Sequence, residues 1–373
     1  MVSFIRRLHR YVTRPFSRLI DRRSFNVLLG LCSLFLVVTF AGCSPASDTA
    51  SSPSPDASAS PTASAAPSEI RIGYQVVPNA ELLVKALGLA EKAFPNTKIE
   101  WKSFDSGRDV NTAIAANGLD LGLVGSTGTS VGISNGLPYQ VYFLHDVIGD
   151  NEALAVKTSA NIKTLADLKG RKIGVPFGST THFSLLSALE KAGIATTDLQ
   201  VLDLQPPDIL AAWQRGDIDG AFVWQPTLKK LVDDGGTILV TAKTLSEQGI
   251  ITADVGVAHK DFISQYPDAL KQYVGVLDEA VKFYREQPEE AGKALAAELG
   301  LTPEESLAVA NELVWLDSSE QSGADYLGKP GSPGAFAEVL KASADFMKAQ
   351  GTISATPDLA VFKDAIYSAA IAQ

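Results

Sequence analysis

Between Glu69 and Tyr74 apolar and polar positions alternate, a period of two that predicts a strand. Over residues 81–93 the apolar positions recur at three and four instead, the period of a helix with one face against a core. Strand-like runs return at 98–104, 119–124, 139–144, 153–156, 172–175, 200–204 and 221–224, with helical stretches mostly between them. This alternation predicts parallel sheets covered by helices. The pattern then turns largely helical, at 267–286, 288–299, 302–313 and 334–350. Two small lobes accommodate this chain better than one long doubly wound sheet.

The first 68 residues follow neither period. Seven arginines, Arg6 to Arg23, precede an apolar run over 27–40, the order of a signal peptide's charged and hydrophobic regions. The run is short for a spanning helix and ends in Phe40-Ala41-Gly42-Cys43, which resembles the lipobox where bacterial signal peptidase cuts before a lipidated cysteine. Residues 1–42 thus read as a lipoprotein signal peptide with Cys43 lipidated. The alternative is an uncleaved anchor, and either one tethers the body outside the cytoplasm, at the periplasmic face of the membrane. Arg22-Arg23-Ser24-Phe25 resembles a twin-arginine signal, so Sec and twin-arginine export both stay open. Over 44–68, 23 of 25 residues are Ser, Pro, Ala or Thr, too little apolar surface to order itself. We therefore read 43–68 as a flexible tether spanning about 25–30 Å.

Composition narrows the function classes. With 46% hydrophobic and 20% charged residues, the chain is neither a wholly disordered protein, nor a collagen-like rod, nor a polytopic membrane protein. Beyond residue 42 there are 25 basic against 41 acidic side chains, a formal charge near −16 that disfavours nucleic acid as a partner. Both cysteines, Cys32 and Cys43, are N-terminal, which leaves the body without a disulfide, thiolate catalyst or cysteine-held metal. Neither a P-loop nor a G-x-G-x-x-G follows the first strand. No cofactor and no metal are expected.

In open α/β sheets a ligand sits beyond the carboxyl ends of the strands, where helix N-termini present free N–H groups. Two such places are rich in hydroxyls: Gly125-Ser126-Thr127-Gly128-Thr129-Ser130 after one strand, and Phe177-Gly178-Ser179-Thr180-Thr181-His182 after another. Each reads either as an anion nest or as a plain helix cap. Ser179 with His182 suggests nucleophilic catalysis, but neither His145 nor His259 has the spacing of a triad partner. No enzyme and no catalytic residue are expected. Trp213 lies on a helix opened by Pro206 and Pro207 and belongs to the core, whereas Trp224 ends a strand at the cleft. Asp254 stands among apolar neighbours, where an ionised carboxylate needs either a structural cation or a ligand's ammonium group.

Several strings together resemble the periplasmic taurine-binding proteins of ABC transporters, within a wider group that binds aliphatic sulfonates, nitrate and thiamine precursors. They include Phe104-Asp105-Ser106-Gly107, Asn151-Glu152-Ala153-Leu154, Ser179-Thr180-Thr181-His182 and Leu204-Gln205-Pro206-Pro207. The most specific is Ala211-Ala212-Trp213-Gln214-Arg215-Gly216-Asp217-Ile218-Asp219-Gly220-Ala221. The resemblance implies an α/β, two-lobed periplasmic-binding-protein fold of type II-like design with the ligand cleft between the lobes. The first lobe would comprise 69–149 with 258–373, and the second 150–257. It also implies that Asp254 meets the ligand's amine, with Tyr74, Gln75, Ser126, Thr127, Thr180, Thr181 and Trp224 around the same pocket. The implied protein is a monomer that delivers taurine to a membrane permease, with general alkanesulfonates or nitrate as the alternative ligands and an enzyme on the same fold as the less favoured class. The chain departs from the family at Gly256, where a second aromatic is common, and in the loop Val76-Val77-Pro78-Asn79-Ala80.

Overall fold

A computed structural model describes residues 66–372. The signal-like segment, Cys43 and nearly all of the expected tether lie outside the described residues. Two sheets organise the rest. The first has the order β11-β4-β10-β3-β1-β2, where β1 is Glu69–Tyr74, β2 Lys98–Ser103, β3 Leu121–Gly125, β4 Tyr139–Ile148, β10 Ala253–His259 and β11 Leu313–Trp315. The second has the order β7-β6-β8-β5-β9, where β5 is Glu152–Lys157, β6 Lys172–Val175, β7 Gln200–Asp203, β8 Gly220–Trp224 and β9 Gly236–Thr241. Each sheet with its helices is one lobe of a two-lobed α/β fold.

The sheets are mixed rather than parallel, and the exceptions matter for the site. β1 pairs parallel with β2 and β3, and β6 pairs parallel with β7 and β8. β10, however, is antiparallel to both its neighbours, β3 and β4, and β5 is antiparallel to β8 and β9. These two strands begin where the chain passes from one lobe to the other, β5 just after β4 and β10 after the helix Ala242–Ser246. A strand entering a sheet from the cleft side must run away from the cleft, whereas its parallel neighbours run toward it. The first residues of β5 and β10 therefore face the carboxyl ends of the parallel strands.

The periodic reading and the observed elements differ where local chemistry overrides the pattern. The helix expected over 81–93 is broken into Ala80–Leu87 and Leu89–Ala93, because Gly88 takes φ 62°, a left-handed conformation that closes the first helix. β9, β10 and β11 were not expected. β10 is buried at every residue, so it shows no alternation, and β9 is a half-exposed strand at the sheet edge. In the helical tail, Pro267–Glu286 buries Leu270, Tyr273, Val274, Leu277 and Val281, a stripe at helical spacing. Trp213 lies in the core, fully buried, with its indole N–H donating to Asp234 at 3.1 Å.

The lobes touch around the cleft. The Phe183 ring on the second-lobe helix Thr180–Lys191 meets Phe346 of the helix Phe336–Ala349 edge-on at 5.1 Å. Arg108 and Asp203 form an ion pair of 2.7 Å across the mouth, and Lys229 reaches Glu305 at 3.1 Å.

Candidate ligand-binding site

Three helix N-termini converge on the space between the lobes: Gly107–Ala115 after β2, Ser126–Ser134 after β3, and Thr180–Lys191 after β6. They bring Ser106, Gly107, Gly125, Gly128, Gly178, Ser179 and Thr180 to the walls of a cleft of about 450 Å³, its open mouth included. Backbone N–H groups at such ends have no partner within their own helix and carry the positive end of its dipole, so this wall suits an anion. Small residues let the helices approach. A Cβ on Gly107 would lie 2.9 Å from Val124 Cγ1, and one on Gly125 would lie 2.9 Å from Thr180 Cγ2 in the opposite lobe. The one basic side chain among the residues lining the cleft is Arg108, half-exposed and already paired with Asp203.

The facing wall is acidic. Glu152 opens β5, Asp254 is the second residue of β10, and both line the cleft while remaining 3% and 7% exposed. Asp254 sits opposite Gly125 on β3 and opposite Asp146 on β4, so two carboxyl groups are cross-strand neighbours. Asp146 is fully buried, and its carboxyl meets the side chains of Asn79 and Asp254. Burial first, and the neighbouring carboxyl second, raise the Asp146 pKa well above the carboxylate range, and burial raises Asp254 as well. Burial pushes Glu152 up to about 8, against the stabilising hydroxyl of Thr180, which donates to it. Behind them Glu81 is also raised to about 8 by burial and by Asp254, and it faces His145 at 3.7 Å. Burial holds that imidazole neutral, with a pKa of about 3. No lysine or arginine offsets the acidity of Asp254, and no group of three or more metal-ligating side chains exists among the described residues.

Of the residues singled out from the sequence, Gln75, Thr180, Trp224 and Asp254 line the cleft together. Gln75 is oriented by its amide, which donates to the Leu123 carbonyl at 2.9 Å. The other four side chains are engaged elsewhere. Tyr74 packs edge-on against Trp101 with Lys85 over its ring at 5.1 Å. Ser126 accepts the Ala253 N–H at 3.2 Å, bracing β10 beside Asp254. Thr127 approaches Ser343, and Thr181 shares a hydrogen bond of 2.7 Å with Ser179. Sequence reasoning missed Ser106, Arg108, Asn151 and Glu152 as lining residues, although Phe104-Asp105-Ser106-Gly107 and Asn151-Glu152-Ala153-Leu154 carry them or abut them. A polar pair at the head of an otherwise buried strand was the available signal.

Ser179 and His182 are not joined as nucleophile and base. The Ser179 hydroxyl donates to the Pro176 carbonyl at 2.6 Å, and His182 Nδ1 accepts the Gly178 N–H at 3.2 Å while its ring stacks on Phe177. Burial lowers the His182 pKa to about 4, so the ring is neutral and serves the loop.

Residues 63–300 match the model of the NMT1-like family. The chain belongs to this family. The NMT1-like chain is 40% identical over 191 residues to the taurine-binding periplasmic protein of Escherichia coli (strain K12), a match covering 51% of this chain and 59% of that protein. It thus spans under two thirds of that relative. It is 30% identical to a protein of the same organism named for binding aliphatic sulfonates, over 74% of this chain and 79% of that one. Among solved structures, the alkanesulfonate-binding protein of Xanthomonas axonopodis pv. citri bound to MOPS superposes with a TM-score of 0.68 at 24% identity, covering 81% of this chain and 99% of that one. A desulfurization enzyme shares the fold at a TM-score of 0.55 and 16% identity, over 79% of this chain and 98% of that one. The fold is thus shared with a binding protein and with an enzyme.

Proposed function

We propose that this chain is the extracytoplasmic substrate-binding lipoprotein of an ABC importer, anchored through Cys43, and that it captures taurine for a membrane permease. The observation that carries the reading is the polarity of the cleft: helix N-termini and hydroxyls on one wall, buried acids without a protein cation on the other. A sulfonate stays ionised at biological pH and offers three acceptor oxygens that neutral donors satisfy. The ammonium end of taurine supplies the positive charge that Asp254 and Glu152 lack, and Trp224, the cross-strand partner of Glu152, offers it an aromatic face. The two ends of one small zwitterion match the two walls. No bond is broken: the ligand bridges the lobes, favours their closed arrangement and so presents a surface to the permease.

A second reading, a general alkanesulfonate binder, draws on the raised acids: a carboxyl that is neutral near pH 7 tolerates an uncharged tail. Calorimetry on the full chain at pH 8 with taurine, ethanesulfonate and nitrate separates the two. We expect taurine to bind in the micromolar range or tighter. Asp254→Asn should weaken it by about 2–4 kcal/mol, the worth of a charge-assisted hydrogen bond with cation–π support, and should not weaken ethanesulfonate, which gains from the loss of a negative charge. Equal affinity for taurine and ethanesulfonate, unaffected by the substitution, selects the general binder.

A further inference from the structure

Asp146 is not among the residues lining the cleft, yet it is the cross-strand partner of Asp254, fully buried, with Asn79 and Asp254 as the side chains its carboxyl meets. Two buried polar atoms without partners belong to residues of the cleft wall itself, Asn151 Nδ2 and the second Glu152 oxygen. The groups around Asp254 are acidic or neutral from every side. The helix Ala80–Leu87 and its cap contribute Glu81 and Asn79, and β4 contributes Asp146, His145 and Tyr142. β5 contributes Glu152, β3 only Gly125 at the register position, and the helix Pro267–Glu286 contributes Tyr273 behind Glu81. The nearest basic group of the wall, Arg108, is spent on Asp203.

Two adjacent carboxyl groups out of water do not both ionise, so the pair keeps one proton between them. We infer that Asp146 is a specificity-determining residue of this site: with Asp254 it forms a pair that holds one proton when no ligand is bound and releases it when a ligand's ammonium group arrives. The balance is simple. The ammonium stays protonated, the pair goes from one negative charge to two, and one proton leaves to solvent. A sulfonate without an amine brings only negative charge, so it binds best when the pair is protonated and takes protons up. The two ligand classes should then respond to pH in opposite directions. Burial raises both groups, Asp254 raises Asp146 further, and the hydrogen bond from Asp146 partly offsets the rise at Asp254, which puts the crossover near neutral pH.

This inference rests on the amine-recognition reading, and one experiment distinguishes their failures. Titrate the full chain with taurine and with ethanesulfonate from pH 5.5 to 8.5, in buffers of different ionisation enthalpy, so that the protons exchanged are counted. Wild type should release close to one proton per taurine on the acid side of the crossover, with affinity rising up to tenfold per pH unit there. Ethanesulfonate should show the reverse slope. In Asp146→Asn the proton count for taurine should fall by close to one above pH 6, leaving only what Glu152, raised to about 8 in the same cleft, exchanges. Asp146→Ser provides the same readout if the amide disturbs folding, and the wild-type count stands without either variant. Taurine binding that depends on Asp254 but exchanges no proton, or a count unchanged in both variants, overturns the role of Asp146 and leaves amine recognition standing. Absence of taurine binding, with ethanesulfonate bound, overturns both.

Discussion

Gly125→Ala tests closure of the lobes on a single methyl group. Gly125 has φ −61° and ψ 151°, which any L-residue adopts, so alanine brings no backbone strain. Its Cβ would instead lie 2.9 Å from Thr180 Cγ2 and 3.4 Å from Thr180 Oγ1, both in the opposite lobe. Carbon atoms rest at about 3.5–4.0 Å, so the contact has to open by roughly 0.6–1 Å. Thr180 has little room to yield. Its side chain is β-branched and its hydroxyl is committed to Glu152, so rotating away sacrifices a buried hydrogen bond. The remaining response is a wider cleft. Overpacking of this size costs about 1–3 kcal/mol, and here the cost falls on the closed state, which translates to roughly 5- to 150-fold weaker binding. The ligand-free protein, free to hold its lobes apart, should keep its unfolding temperature within about 2 °C. Calorimetric titration measures the first quantity and scanning calorimetry the second. Adding Thr180→Ser, which removes Cγ2 and keeps the hydroxyl, should restore most of the affinity. Unchanged affinity in Gly125→Ala, or a loss of stability as large as the loss of binding, would refute the closure argument.

Glu81 predicts a pH dependence of stability. Its pKa is raised from 4.5 to about 8 by burial and by Asp254, so the folded state holds that proton more tightly than the unfolded chain. The contribution is fully present below the unfolded pKa and is lost as pH rises through about 8. Glu81→Gln should flatten this decline in urea unfolding between pH 5 and pH 9. Each tenfold difference in proton affinity is worth about 1.4 kcal/mol, so after structural relaxation the variant should be more stable at pH 9 by roughly 2–4 kcal/mol. An identical decline in both proteins would mean that Glu81 ionises freely. Cys43→Ser should abolish incorporation of labelled palmitate in intact cells and release the protein from the membrane fraction. Continued labelling, or membrane retention equal to wild type, would favour an uncleaved anchor.

Much of the architecture was legible from local pattern. Strand and helix periods located most strands of both sheets and the long tail helices, because a half-buried element writes its period into the sequence. The same logic explains what was missed: β10, buried on both faces, has no alternation to read, and it happens to carry Asp254. The anion-facing wall was also partly visible, since small and hydroxyl residues at a strand-to-helix junction have a local reason to be there. Thr127 and Thr181 show the limit, because consecutive residues on a helix point in different directions and only some reach the cleft.

The acidic wall belongs to the tertiary structure alone. Asp146 and Asp254 are 108 positions apart, and Glu152 joins them only because the chain crosses between lobes twice and each crossing starts a strand that runs away from the cleft. The residue types present, a body rich in carboxylates and free of cysteine, were determined by the sequence itself. Which carboxylates lose water, meet one another and end up facing a ring of helix N-termini was decided by strand direction and lobe contact. Charge regulation depends on burial and distance, and neither quantity exists until the two sheets have folded against each other.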